Sequence, residues 1–208
     1  MQHRCRRRTG LVALCLAVTI GLAACSATDT GNVAPGSSAP KVTSPGVSTS
    51  VLTDSNSSDV MFVQMMLPHH EQAVAMSDTL LAKSGVNPDV TALAHQIKAA
   101  QQPEIDTMKG LLTAWGQQEK DDGMGGMNQG SNDGMATDAQ LKDFDQADGK
   151  AGQKAYLQLM TAHHQGAIRM AQAEVSNGRN PGAIALAKNI STTQQHEVGV
   201  MKDLLGEQ

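Results

Sequence analysis

Four of the seven histidines in this 208-residue chain stand in two adjacent pairs. His69 and His70 lie in MMLPHHEQAVAM (65–76), His163 and His164 lie in LMTAHHQGAIRM (159–170), and methionines flank both pairs. Neutral imidazole binds metals and carries protons, whereas a thioether is a soft ligand without acid–base chemistry. Their combination points to a soft or borderline metal ion: thioether favours Cu(I) or Ag(I), and imidazole accepts either copper state. Carboxylate at only one position per repeat supplies too little hard oxygen for Ca²⁺ or Mg²⁺.

The two segments belong to an internal duplication. Phe62, Met66, His69, His70, Ala73 and Met76 match Tyr156, Met160, His163, His164, Ala167 and Met170 at a spacing of 94. After a one-residue deletion the spacing becomes 93. Gly85, Asn87, Pro88, Leu93, Ala94, Ile97, Gln101, Gln102, Glu104 and Met108 then match Gly178, Asn180, Pro181, Leu186, Ala187, Ile190, Gln194, Gln195, Glu197 and Met201. So many identities in order mark a copied structural unit.

Each copy reads as a helical hairpin. A long helix ends near Ser84-Gly85 or Asn177-Gly178, where glycine can take the left-handed conformation that closes a helix. Asn87-Pro88 and Asn180-Pro181 open the next helix, with asparagine as cap and proline at the first helical position. Two antiparallel hairpins make an all-α four-helix bundle, with repeats at 59–115 and 150–205 inside a domain spanning 59–208. A Gly- and Met-rich loop, 121–136, joins them, and Thr137 to Gln140 resembles a capping box that starts a short helix. The few aromatics require an aliphatic and methionine core, which suits packed helices.

At 100° per residue, Met66, His69, His70, Ala73 and Met76 fall within about 120° of one another, and Met160, His163, His164, Ala167 and Met170 repeat the stripe. On the following helices Ile97, Gln101, Glu104 and Met108 share one face, as do Ile190, Gln194, Glu197 and Met201. The candidate metal ligands are therefore His69, His70, Met66, Met76, Glu104 and Met108 in the first hairpin. Those of the second are His163, His164, Met160, Met170, Glu197 and Met201. Met124, Met127 and Met135 in the loop form a second thioether-rich stretch. Pro68 and Pro103 fall inside the predicted helices, His196 flanks Glu197, and His95 faces away from Glu104.

Residues 1–24 have the basic head, apolar run and small-residue exit of an export signal. The ending Leu22-Ala23-Ala24-Cys25 resembles a bacterial lipobox, which implies cleavage before Cys25 and lipid on its thiol, an anchor to the outer face of the cell membrane or envelope. Cys5 and Cys15 leave with the signal, so neither disulfide nor free thiol remains. From Ser26 to Ser58, 20 of 33 residues are Ser, Thr, Pro or Gly, so 25–58 reads as a lipidated cysteine and a flexible tether. Losing Arg4, Arg6, Arg7 and Arg8 leaves 12 basic residues against 20 acidic ones, a formal net charge of about −8. That acidity argues against nucleic acid as a partner.

The patterns F-x-x-x-M-x-x-H-H-x-x-A-x-x-M and I-x-x-x-Q-x-x-E-I-x-x-M resemble the bacterial domain of unknown function 305, a ferritin-like family of four-helix bundles, over Asp59 to Leu205. The resemblance implies two antiparallel hairpins and, through the family's association with copper, a metal role. Val198 and Gly199 depart from the first copy's Ile105 and Asp106 but leave Glu197 and Met201 in place.

The expected function is an exported, membrane-anchored protein that captures or buffers copper without chemistry on it. One alternative is a structural or interaction lipoprotein whose histidines only pack. Another is a ferritin-like metal oxidase, demoted because no Glu-x-x-His pair occurs. A Cys- or Ser-based hydrolase is excluded by the missing thiol and nucleophile elbow.

Overall fold

The computed structural model describes residues 54–119 and 134–206, all within the unit Pro45–Gln208. The export signal, Cys25, nearly all of the tether, Met124 and Met127 lie outside the described residues. Five helices and no strands occur among those described: α1 (Ser57–Leu81), α2 (Pro88–Ala114), α3 (Asp138–Gln146), α4 (Gly149–Asn177) and α5 (Pro181–Gly206).

Their starts are written in side-chain caps. Asn56 accepts from the backbone N–H of Ser58 (2.8 Å) and Asp59 (3.0 Å), while Asp59 accepts in return from Asn56 N–H (2.6 Å), a reciprocal capping box. Asn87 caps α2 ahead of Pro88, and Asn180 caps α5 through the N–H groups of Gly182 and Ala183. Thr137 and Gln140 form the expected box on α3. Pro68 and Pro103 lie within α1 and α2, each helix running through its proline.

The helix ends differ from the expectation at one of the two glycines. Gly85 has φ +75°, the left-handed value, although α1 already stops at Leu81. Gly178 has φ −68° and needs no left-handed freedom. Its requirement is space, because a Cβ there would run into the Glu174 carboxyl.

α1 packs on α2 and α4 on α5, and the main contact between the hairpins is α1 against α4. The short α3 lies on α4, setting Phe144 against Tyr156 with ring centroids 6.2 Å apart. Among the described residues, no helix is long and apolar enough to cross a membrane.

The core consists of two apolar clusters. One joins Ala73, Met76 and Leu80 of α1 to Leu93 and Ile97 of α2, Tyr156 and Met160 of α4, and Met201 of α5. The other joins Phe62, Met66 and Leu67 of α1 to Ile105, Met108 and Leu112 of α2, Ala167 and Ala171 of α4, and Ala187 and Ile190 of α5. On every long helix the sequence between these two sets carries buried polar residues: His69 and His70, Gln101, His163 and His164, and Gln194 with Glu197. The bundle is thus apolar at two levels and polar between them.

Gly149, which opens α4, lies so close to the chain after α1 that a Cβ would overlap the backbone carbonyl of Ser84. Backbone cannot yield as a flexible side chain can. Gly149→Ala is therefore expected to destabilise the fold by about 2–3 kcal/mol, read as a lowered midpoint of thermal unfolding.

Candidate metal centre

Each pair of adjacent histidines spans about 100° of helix surface, so both members can turn inward when one faces the other hairpin and its neighbour faces the second helix of its own. They do so: His69, His70, His163 and His164 are all fully buried. The His69 and His163 rings, one from each hairpin, stack with centroids 3.6 Å apart and planes tilted by 37°. The His163 and His164 centroids are 6.2 Å apart. All four imidazoles thus belong to one mid-bundle group rather than to two separate ones.

The outer member of each pair is held by a carboxylate from the neighbouring helix. His70 Nε2 lies 2.9 Å from Glu104 Oε2, and His164 Nε2 lies 2.8 Å from Glu197 Oε2. A carboxylate oxygen only accepts, so each Nε2 donates a hydrogen bond to the glutamate and each ring turns Nδ1 elsewhere. Those Nδ1 atoms are buried and have no hydrogen-bond partner. Glu104 is held in turn by Asn189 Nδ2 (3.1 Å), while Glu197 is almost completely enclosed and its Oε1 is unpartnered.

Neither nitrogen of His163 meets a hydrogen-bond partner of good geometry, the His69 backbone acting only weakly on the ring, and the side-chain amides of Gln101 and Gln194 are buried with both polar atoms unpartnered. Leaving a buried polar group unmatched costs roughly 1–3 kcal/mol. Concentrating such groups at one level of a bundle is therefore expensive unless something polar answers them. Burial, followed by the neighbouring His69, His164 and His70, holds His163 well below the ordinary histidine range. Burial lowers His164 as well, against the opposing pull of Glu197. Both rings are in the neutral form that binds metal.

The sequence-predicted methionines divide by level. Met66 and Met108, from the first hairpin, sit in one apolar cluster, whereas Met160 and Met201, from the second, sit in the other with Met76. Thioethers thus flank the polar level on both sides. Met201 Sδ also receives the Thr161 hydroxyl at 3.8 Å. Met170 departs from its partner Met76, being half-buried at the margin of the second cluster. His95 and His196 are exposed, away from the four buried rings.

Among the described residues, no group of three His, Cys, Asp or Glu side chains forms a ready-made metal cage. The potential donors gathered near this level are imidazole nitrogen and thioether sulfur, types that suit copper or silver better than a hard cation.

Gln101 and Gln194 join the site in the structure without belonging to the candidate ligands, although the duplication places both one turn before the glutamates and repeats a polar residue on a core-facing stripe. Asn189 carried no signal, because the first copy has Gln96 at the matching position.

A DUF305 protein from Deinococcus radiodurans is 30% identical, with a TM-score of 0.65 over 74% of this chain and 99% of that one. A DUF305 protein from Streptomyces coelicolor is 35% identical, also with a TM-score of 0.65, over 72% and 91%. CopM, solved in Cu(I)-, Cu(II)- and Ag-bound forms, is 28% identical in its Cu(II) form, with a TM-score of 0.62 over 72% and 96%. A comparison with curated proteins finds no match. The family model described as a domain of unknown function, DUF305, matches residues 59–205, and the chain belongs to that family.

Proposed function

We propose that this protein is an exported, membrane-anchored copper-binding protein that captures or buffers the metal in its mid-bundle polar level. The observation that carries this reading is the cluster of four buried imidazoles, in which both nitrogens of His163 and the Nδ1 atoms of His70 and His164 have no hydrogen-bond partner. Histidines that only pack would be expected to bond through both nitrogens. The likeness to CopM, solved with Cu(I), Cu(II) and Ag, supports the same reading.

His69, His70, His163 and His164 would hold the ion, with thioethers of Met66, Met108, Met160 and Met201 as soft ligands on either side. Glu104 and Glu197 would act through the rings they touch, fixing their tautomer and orientation, the usual part of a carboxylate behind a ligating histidine. Met76 and Met170 differ in burial and would contribute unequally. A bound copper ion supplies charge and redox capacity. The protein's residues would select it and shield it from water, and burial would keep His163 and His164 unprotonated. Export and anchoring rest on the segment Leu22 to Cys25.

Titration of the purified protein with Cu(I), Ag(I) and Cu(II) tests the proposal. Binding is expected for the unaltered chain and should vanish when all four paired histidines become alanine while circular dichroism still reports a helical fold. Equal binding by the two proteins would return the histidines to a packing role.

A further inference from the structure

A second buried polar group lies at the end of the bundle where α1 begins. The Asp59 carboxylate, fully enclosed, accepts three backbone N–H groups: Asn56 on Oδ2 (2.6 Å), and Arg179 and Asn180 on Oδ1 (2.9 Å each). Three such donors favour the ionised form. Glu174, in the last turn of α4 and also buried, makes its side-chain contact with this same carboxylate, and neither of its oxygens meets a protein donor. Two carboxyl groups in contact with no donor between them must share a proton. The backbone N–H groups assign the charge to Asp59 and the proton to Glu174.

Around this pair the start of α1 is tied repeatedly to the α4–α5 turn. Asn56 Nδ2 donates to the Asn177 carbonyl (2.9 Å), Asn180 Nδ2 donates to the Asp54 carbonyl (3.0 Å), and the Arg179 guanidinium pairs with Asp54 (2.9 Å). The charged groups facing the pair are thus Asp54 and Asp59 from the α1 end and Arg179 from the turn. The Arg179–Asp54 bridge is mostly exposed, and Asp59 is the ionisable group that acts on Glu174.

We propose that Asp59 and Glu174 form a proton-holding clasp between the head of α1 and the α4–α5 turn, and that loss of the shared proton in alkaline conditions loosens residues 54–59 from the bundle. Two adjacent buried carboxylates repel each other, and the tether expected over 25–58 joins the bundle at this point. Burial, then the contact with Asp59 and its charge, raises the Glu174 carboxyl to about 8. Burial pushes the Asp59 carboxyl upward, but the N–H groups and the Glu174 contact outweigh it, leaving it below the ordinary range. Glu174 therefore keeps in the folded protein a proton that the unfolded chain releases near 4.5, so stability declines as pH rises from about 4.5 to about 8 and then levels off. Asp59 changes stability only on the acid side of that window.

Glu174→Gln keeps a donor at this position whatever the pH. The midpoint of thermal unfolding of the unaltered protein should fall by several degrees relative to Glu174→Gln between about pH 5 and pH 9. Carboxyl carbon chemical shifts should show Glu174 titrating near 8, and lower in Asp59→Asn, where burial alone still holds it above the ordinary range. Parallel melting profiles for the unaltered protein and Glu174→Gln, or a Glu174 titration near 4.5 in the unaltered protein, would overturn the clasp.

Discussion

Replacing His69 and His70 together by alanine is expected to weaken binding of Cu(I), Ag(I) and Cu(II) by the whole protein on the order of 100-fold or more, and not merely to halve the number of bound ions. The duplication alone would allow two independent centres, one per hairpin. The stacking of His69 on His163 joins them, since removing the α1 pair also removes the ring packed on α4 and opens the level where His163 and His164 lie. Histidines retained only for packing would leave binding unaltered. Isothermal titration with a competing chelator reads affinity and stoichiometry together. Retention of half the sites at unaltered affinity would show that the hairpins bind separately.

A leucine at position 163 should separate metal binding from stability. His163 meets no hydrogen-bond partner of good geometry through either nitrogen, is fully buried and is kept neutral, and the His69 backbone offsets only a small part of that burial, so in the metal-free protein it bears most of the cost of a hidden polar ring. Replacing such a group by an apolar one of similar size is neutral or stabilising, with each kcal/mol gained worth roughly 3–5 °C. His163→Leu is therefore expected to melt at or above the temperature of the unaltered protein without metal. It should lose affinity on the order of 100-fold and show no further rise in melting temperature when Ag(I) is added. The unaltered protein, by contrast, should be raised by Ag(I). A large destabilisation of the metal-free variant would mean that His163 contributes to packing in a way its bare nitrogens do not show.

These two outcomes depend on structural facts of different legibility. The helices were open to reading because their signals are local: Asn87-Pro88 and Asn180-Pro181 mark starts by supplying a side-chain acceptor and a residue that needs no donor, and Thr137 with Gln140 closes a box within four residues. The shared faces of His69, His70 and Met66, and of Glu104 and Met108, follow equally from a fixed 100° per residue. All these side chains are turned into the bundle, Glu104 only in part. Even the exposure of His95 followed from its place on the wheel.

What remained hidden lies between elements. Gly178 illustrates it: glycine after a helix suggests a left-handed turn, but here the chain is not left-handed and the residue is small because Glu174 lies against it. Met76 and Met170 occupy the same position in the duplicated sequence, yet one is enclosed and the other half-exposed, because burial depends on which neighbours each copy meets. Asp59 and Glu174 are far apart in sequence and carry no shared motif; only the docking of the head of α1 on the α4–α5 turn makes them one proton-sharing group.

Helix periodicity and capping act within a few residues, and from them alone the chain is legible as two copies of one helical hairpin, each presenting a histidine pair and a glutamate on core-facing stripes. That the two stripes meet at one level, with His69 against His163 and each glutamate on its neighbour's Nε2, arises from the packing of the hairpins on each other. The axial register of α1 on α4 comes from how two whole surfaces of side chains fill each other's space. That is a property of the packed bundle, and no single helix carries it.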